Sequence, residues 1–319
     1  MDSQLYNSYS SPFSVSEGME LRRTPGSSVA GARQVHRLYK RGELWPISIA
    51  LMNILHEFGY LSYELIDRAF LALRGSDPGY AELPRLSSGR KKSPARSAAE
   101  KLFTYGVLSK TAVIEKDRRW YVYSLSPGAR EWLLTMERTE GVVRHPLYRG
   151  EEDPPVFLSP EEITPGELMK TLSEAQAAIS IRASYRELDV SFQMLGGYDT
   201  LVVRQRQEGQ ERSLLIHHAF PTDEGVDDTL RFFQGIQVET STDRWKGPPV
   251  FSVALLTDGE AAASGVLHPG LLRSAGDIYT SLRVMYLFDF VTFHYDRPLD
   301  CLHYYPDRDT STFELRAWP

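Results

Sequence analysis

The 319-residue sequence predicts an α+β protein with two domains, and three observations support this prediction. Apolar residues recur at helical spacing in three segments before residue 105, and two short β-rich runs follow them. After residue 164, strand-like runs alternate with helical ones, which is typical of a mixed α/β domain. A charged, proline-containing stretch at 138–163 separates the two patterns and is predicted to be a linker.

Residues 1–44 are predicted to form a disordered or loosely attached arm. The first 32 residues are rich in Ser, Gly and Pro and show no apolar periodicity. Regular structure is therefore expected to begin near Trp45.

Two helices are predicted after this arm. Leu51, Ile54 and Phe58 lie on one helical face, and Gly59 is placed to end that helix. Ser62 can cap the second helix, which is expected to end near Gly75.

A third helix and a β-hairpin are predicted next. Ser93 followed by Pro94 is a favoured helix start, and Gly106 suits the left-handed position that follows a helix end. Strands are expected at Thr111–Ile114 and Trp120–Leu125, around a polar turn. With a fourth helix after Ser126-Pro127, residues 45–137 have the element order of a winged helix-turn-helix domain.

The second domain is predicted to cover residues 164–319. Thr164 and Glu167 form a capping-box pattern that should open a helix running to about Ile181. A further helix is expected from about Asp223. The remaining expected elements are strands at Glu187–Met194, Thr200–Arg206, Ser213–Phe220, Val250–Leu256 and Val284–Phe293, and a helix at Leu267–Leu282.

Charge is divided unevenly along the chain. Lys and Arg outnumber Asp and Glu by 17 to 9 between Arg33 and Arg130, whereas the acids lead by 30 to 17 from Glu131 to Pro319. The net charge of −6 hides this asymmetry, which indicates different partners for the two halves. A lone Cys301 and the absence of an apolar 20-residue run favour a cytoplasmic protein without membrane contact.

The basic half carries the features of a duplex DNA-binding surface. Lys and Arg neutralise phosphates, and the first residues of a recognition helix reach base edges in the major groove. The hairpin turn would act as the wing and contact a flanking phosphate. The residues expected to contact DNA are Arg90, Lys91, Lys92, Ser93, Arg96, Ser97, Glu100, Lys101, Lys116, Arg118 and Arg119.

The arrangement resembles the replication-relaxation family of plasmids and mobile elements. The resemblance rests on element order, on Ser93–Leu125, and on YDTLVVRQRQEGQERSLLIHHAF followed by TLRFFQGI. It implies a winged helix followed by a degenerate nuclease-like domain of the PD-(D/E)xK type. Such a core needs a carboxylate on one strand and a carboxylate with a lysine on the next, to hold a divalent metal.

The second domain departs from that nuclease pattern. Asp199 stands at the first carboxylate position, but His217 and His218 replace the next acid, and no lysine follows. Adjacent strand residues point to opposite faces, so the two histidines cannot share one ion. The domain is therefore expected to lack catalysis, metal and cofactor, and to bind a protein partner or a second copy of itself.

The sequence thus indicates a DNA-binding adaptor or regulator of a mobile genetic element or its replication. Two alternatives remain open at this point. One is a metal-dependent endonuclease with a divergent active site. The other is a winged helix that binds proteins and has no affinity for DNA.

Overall fold

The computed structural model of the chain mixes helices with two β-sheets, as the α+β prediction requires. Internal contacts divide it into two units, residues 15–175 and residues 1–14 with 176–319. Among the helices described, none is both long and apolar enough to cross a bilayer. The described residues are 12–24, 29–76, 93–116, 118–140, 162–195, 198–207, 210–240, 250–259, 263–274, 283–305 and 314–316.

The first unit combines helices with a small antiparallel sheet. Its strands β1 to β4 form one sheet in the order β1-β3-β4-β2. Strands β3 and β4 make a continuous hairpin in which Leu108 faces Leu125 and Glu115 faces Arg118. The elements in chain order are β1 (Glu20–Arg23), α1 (Ala32–Lys40), α2 (Pro46–Phe58), β2 (Leu61–Ser62), α3 (Tyr63–Ser76), α4 (Pro94–Thr104), β3 (Leu108–Glu115), β4 (Arg118–Leu125) and α5 (Pro127–Glu140).

The predicted helix boundaries of this unit are largely confirmed by the caps. The Ser62 hydroxyl accepts a hydrogen bond from the Leu65 amide at 3.3 Å, and the Ser93 hydroxyl accepts one from the Arg96 amide at 3.1 Å. Gly59 and Gly106 adopt φ values of 71° and 72°, a conformation that glycine reaches without steric cost. Capping chemistry therefore sets the end of α2, the start of α3 and both ends of α4.

The predicted loose arm is wrong for residues 20–23 and 32–40, which form β1 and α1. Strand β1 pairs with β3, and the buried Val35 anchors α1. The Ala30 amide donates to the Gly106 carbonyl at 2.9 Å. Gly128 lets the chain pass close, since a Cβ there would stand 2.3 Å from the Ala30 carbonyl oxygen. Tertiary partners order this segment, although its composition is that of a flexible chain.

The hairpin differs from its prediction in length. Strand β3 begins at Leu108, and β4 begins at Arg118, so Arg118 and Arg119 lie in a strand, not in the turn. Lys116 occupies the turn with a φ of 49°. Because β4 begins next to the turn, Arg118 and Arg119 lie on a backbone that is paired with β3.

The second unit is built on a seven-stranded sheet in the order β11-β10-β9-β8-β7-β6-β5. Strands β5 to β7 are antiparallel, whereas β8 runs parallel to both β7 and β9. The predicted capping box is confirmed, since Thr164 and Glu167 bond each other's amides. The elements from residue 165 onward are α6 (Pro165–Ser184), β5 (Asp189–Leu195), β6 (Tyr198–Gln207), β7 (Gln210–His218), α7 (Asp223–Thr240), β8 (Val250–Thr257), α8 (His268–Ser274), β9 (Arg283–Phe288), α9 (Asp289–His294), β10 (Leu302–Tyr304) and β11 (Glu314–Arg316).

Helix α6 runs across the boundary, with residues 165–175 in the first unit and 176–184 in the second.

Two predicted elements of the second unit need correction. The single strand expected at Val284–Phe293 is strand β9 followed by helix α9, which begins at Asp289. An apolar run buried on all sides has no periodicity, so composition could not separate a strand from a helix. The helix expected at Leu267–Leu282 is a π-helical turn at Ala263–Leu267 leading into α8, and residues 275–282 lie outside the described part.

Candidate nucleic-acid interface

Helix α4 is fixed at its start by a polar network and along its length by small apolar side chains. Ser93 caps the helix and Pro94 occupies its first position. No acidic residue of the helix itself lies in its first turn. Its buried face is formed by Ala95, Ala98, Ala99 and Leu102.

Arg96 is held by a carboxylate from the preceding helix. Its Nε donates to Oδ2 of Asp67 on α3 at 2.8 Å, and its guanidinium carbon lies 5.3 Å from the centre of the Tyr63 ring. The other oxygen of Asp67 accepts a hydrogen bond from the Ser93 hydroxyl at 2.5 Å. One carboxylate therefore fixes both the cap of α4 and the side chain of Arg96.

Glu100 has an internal role. Its Oε1 accepts hydrogen bonds from Lys110 Nζ at 2.8 Å and from the Tyr123 hydroxyl at 2.7 Å. Burial, followed by this carboxylate, raises the pKa of Tyr123 above its ordinary value. Glu100 was expected to read a base, but its carboxylate instead joins α4 to the sheet.

An aromatic cluster surrounds the Lys110 ammonium. Its Nζ lies 4.4 Å from the centre of the Tyr121 ring, 5.4 Å from that of Tyr123 and 5.5 Å from that of Phe103. Only 13% of the Lys110 side chain is exposed. With its ion pair to Glu100, this lysine stabilises the contact between α4 and β3 and leaves little charge for a ligand.

The exposed residues of the predicted site lie on α4 and the hairpin. Ser97 is exposed on the first turns of α4, and Lys116, Arg118 and Arg119 are exposed at the hairpin. Within the described part of the chain, none of these three cations forms an ion pair. Lys101 is half-buried, with Nζ 4.0 Å from the centre of the Trp45 ring. Arg90, Lys91 and Lys92 lie outside the described residues.

Sequence reasoning missed two groups that shape this surface. Asp67 and Tyr63 of α3 position Arg96, yet they stand 29 and 33 residues before it, and no local pattern connects them. Strand β1 also brings Arg22 beside the hairpin, where it pairs with Glu20 at 2.6 Å. A charge count over residues 33–130 could not include that strand.

The three positions expected in a nuclease core lie on strands β6 and β7 of the second unit. Asp199 lies on β6 opposite Met194. His217 is fully buried and stacks on Phe232 at 3.9 Å, whereas His218 contacts the Phe220 ring. Across the described ranges, no group of three or more His, Cys, Asp or Glu side chains could hold a metal ion. His217 thus belongs to the packing between the sheet and α7.

Two further histidines are buried in the second unit. Nδ1 of His268 lies 2.9 Å from the Tyr286 hydroxyl oxygen, and its ring stacks on Tyr305. His303 packs against Phe288. Burial lowers the pKa of each imidazole from 6.5 to about 4. Both histidines are therefore neutral at physiological pH.

Removal of the α4 cap should weaken the first unit. Replacing Ser93 with Ala is expected to lower its free energy of unfolding by about 1 kcal/mol, since the Arg96 amide loses its acceptor. Urea denaturation followed by tryptophan fluorescence measures this loss. Thr104→Ala at the exposed end of the same helix is the matched control. Equal stability of the Ser93 and Thr104 variants would contradict the role given to the cap.

Comparisons with protein-family models, curated proteins and solved structures found no match to this chain.

Proposed function

We propose that the chain is a DNA-binding adaptor or regulator. The first unit binds duplex DNA through a winged helix, and the second, acidic unit binds a protein. The order α2, β2, α3, α4 and the β3–β4 hairpin supports a winged helix in the first unit. In that arrangement α4 is the recognition helix and the hairpin is the wing.

The observation that carries this proposal is the pairing of a capped helix start with an unneutralised basic hairpin in one unit. The start of α4 presents Ser97 to solvent and has no acid in its first turn. The hairpin adds three exposed cations without ion pairs to the described residues. Such cations gain by releasing the counterions of duplex DNA, whereas they add little to folding.

The second unit supports an adaptor more than an enzyme. Helix α6, three antiparallel strands, helix α7 and the parallel strand β8 follow the element order on which the resemblance to the replication-relaxation family rests. One of the two histidines that replace the expected acid, His217, is fully buried and stacks on Phe232. Acids outnumber bases from Glu131 onward, which favours a basic protein surface over DNA as the partner.

One experiment separates this proposal from its alternatives. The full chain is titrated into a fluorescent random 25-base-pair duplex, and anisotropy is followed at several salt concentrations. Supercoiled plasmid is incubated with the same protein in Mg²⁺, Mn²⁺ and Zn²⁺. We expect salt-dependent binding and intact plasmid. Plasmid cleavage by the wild-type chain that is lost in the Asp199→Ala variant would show that the protein is an endonuclease. If the chain binds no duplex at low salt, the first unit is a protein-interaction module.

A further inference from the structure

We propose that Arg96 reads a guanine base in the major groove and that Asp67 is the positioning residue that aims it. This inference rests on the proposed DNA-binding function and specifies one base that the first unit recognises. It assigns a role to Asp67, a residue of α3 that the sequence analysis did not single out.

The hydrogen bonds of Arg96 leave its two terminal nitrogens available to bind a base. Only its Nε is used, in the 2.8 Å bond to Asp67, and its terminal Nη1 and Nη2 bond no described residue. The side chain is 39% exposed, so part of it is accessible to a ligand. Two parallel N–H donors from one arginine match the O6 and N7 acceptors of guanine.

The orientation of Arg96 is fixed from two sides. Asp67 holds Nε, and the Tyr63 ring lies 5.3 Å from the guanidinium carbon. Asp67 is itself fixed by the Ser93 hydroxyl, and its side chain is only 20% exposed. A long side chain held in this way loses little conformational freedom when it binds, which favours a directional contact.

Charge favours a base over a phosphate as the ligand of Arg96. Its positive charge is already balanced by the Asp67 carboxylate, so a phosphate gains little Coulomb energy there. Lys116, Arg118 and Arg119 have no such partner among the described residues and are better placed to neutralise phosphates. Arg96 also stands third in α4, where recognition helices meet base edges.

The test uses the full chain and a duplex selected from a random pool for tight binding. Each guanine of that duplex is replaced in turn with 7-deazaguanine, which keeps base pairing and lacks the N7 acceptor. We expect one position at which the replacement weakens binding roughly 5- to 150-fold. The Arg96→Lys variant should bind the guanine and 7-deazaguanine duplexes equally, because lysine lacks the paired N–H donors of the guanidinium. The salt dependence of binding should be preserved, because lysine keeps the positive charge.

The Asp67→Asn variant tests the positioning of Arg96 and keeps an acceptor for the Ser93 hydroxyl, so the start of α4 should stay folded. An asparagine can still accept from the Ser93 hydroxyl, but its neutral amide no longer pairs with Arg96. We expect the logarithm of the affinity loss caused by 7-deazaguanine to fall below about half of its wild-type value. The affinity for random duplex should change little. Glu64→Gln is the matched control, since Glu64 pairs with Arg68 on the same helix at 3.5 Å.

The outcomes distinguish this inference from the function on which it rests. A wild-type chain that binds no duplex overturns both. A chain that binds duplex DNA, but shows no N7-dependent position, overturns only the guanine assignment. An unchanged guanine preference in the Asp67→Asn variant shows that Arg96 needs no positioning, and it contradicts the role of Asp67.

Discussion

Replacing Lys116, Arg118 and Arg119 with Gln should weaken binding to random duplex DNA about 100-fold at about 150 mM salt. The three side chains are exposed at the hairpin and have no ion pair with a described residue. If each contacts one phosphate, the slope of log K against log salt should fall by roughly 2.7 in magnitude. Glutamine keeps a polar side chain of similar length, so the hairpin should remain folded.

The matched control removes the same charge from another element of the same unit. Arg33, Arg37 and Arg41 are exposed on or just after α1. Their replacement with Gln should change affinity much less than the hairpin substitutions do. Equal losses in the two triple variants would mean that net charge alone attracts DNA, and the hairpin would lose its role as the wing.

Acid should destabilise the second unit through His268 and His303. Burial holds the folded pKa of each near 4, whereas the unfolded value is about 6.5. Between these pH values the unfolded chain binds protons that the folded chain does not, so stability falls as the pH falls. The loss is about 3 kcal/mol for each histidine, and it is complete near pH 4. Above about pH 6.5 the two histidines add no pH dependence.

This loss is large, because whole domains are stable by roughly 5–15 kcal/mol. Hydrogen exchange of amides in β7 to β9 measures it between pH 4 and 7. Each of the variants His268→Phe and His303→Phe should reduce the wild-type slope by about one proton. A wild-type slope near zero, or variants with the wild-type slope, would contradict the burial of neutral imidazoles.

Local chemistry explains which parts of the first unit were predictable. Ser62, Ser93, Gly59 and Gly106 act within a few residues of their own position, so their roles can be read from the chain. Strand β1 has the sequence ELRR, without apolar alternation, and it exists because it pairs with β3. No local signal could place it.

The second unit shows the same division between local and tertiary causes. Strands β5 to β8 and helix α7 were expected close to their observed positions, since each has its own apolar pattern and turn. The run at Val284–Phe293 is buried along most of its length, so neither a strand period nor a helix period is visible. The change from β9 to α9 falls at Asp289, an acid in a first helical turn.

The position of the candidate interface was predictable from the sequence, but its hydrogen bonds and ion pairs were not. The basic residues of α4 and the hairpin could be named from their types and spacing. The partners of Arg96 and Glu100 could not, because Asp67 and Lys110 reach them only through the packing of α3 and β3. Which charged side chains remain available to a ligand is therefore a property of the fold.

The central claim is that α4 enters the major groove of duplex DNA. The most direct measurement is cleavage by an iron chelate attached to the S97C variant, since the single native Cys301 is buried. The T135C variant, at an exposed position of α5, is the matched control. On a selected duplex, the chelate on S97C should cut within a few base pairs at the centre of the bound site, and that on T135C should not. Equal cutting by both, or no cutting of bound DNA by S97C, would contradict the claim.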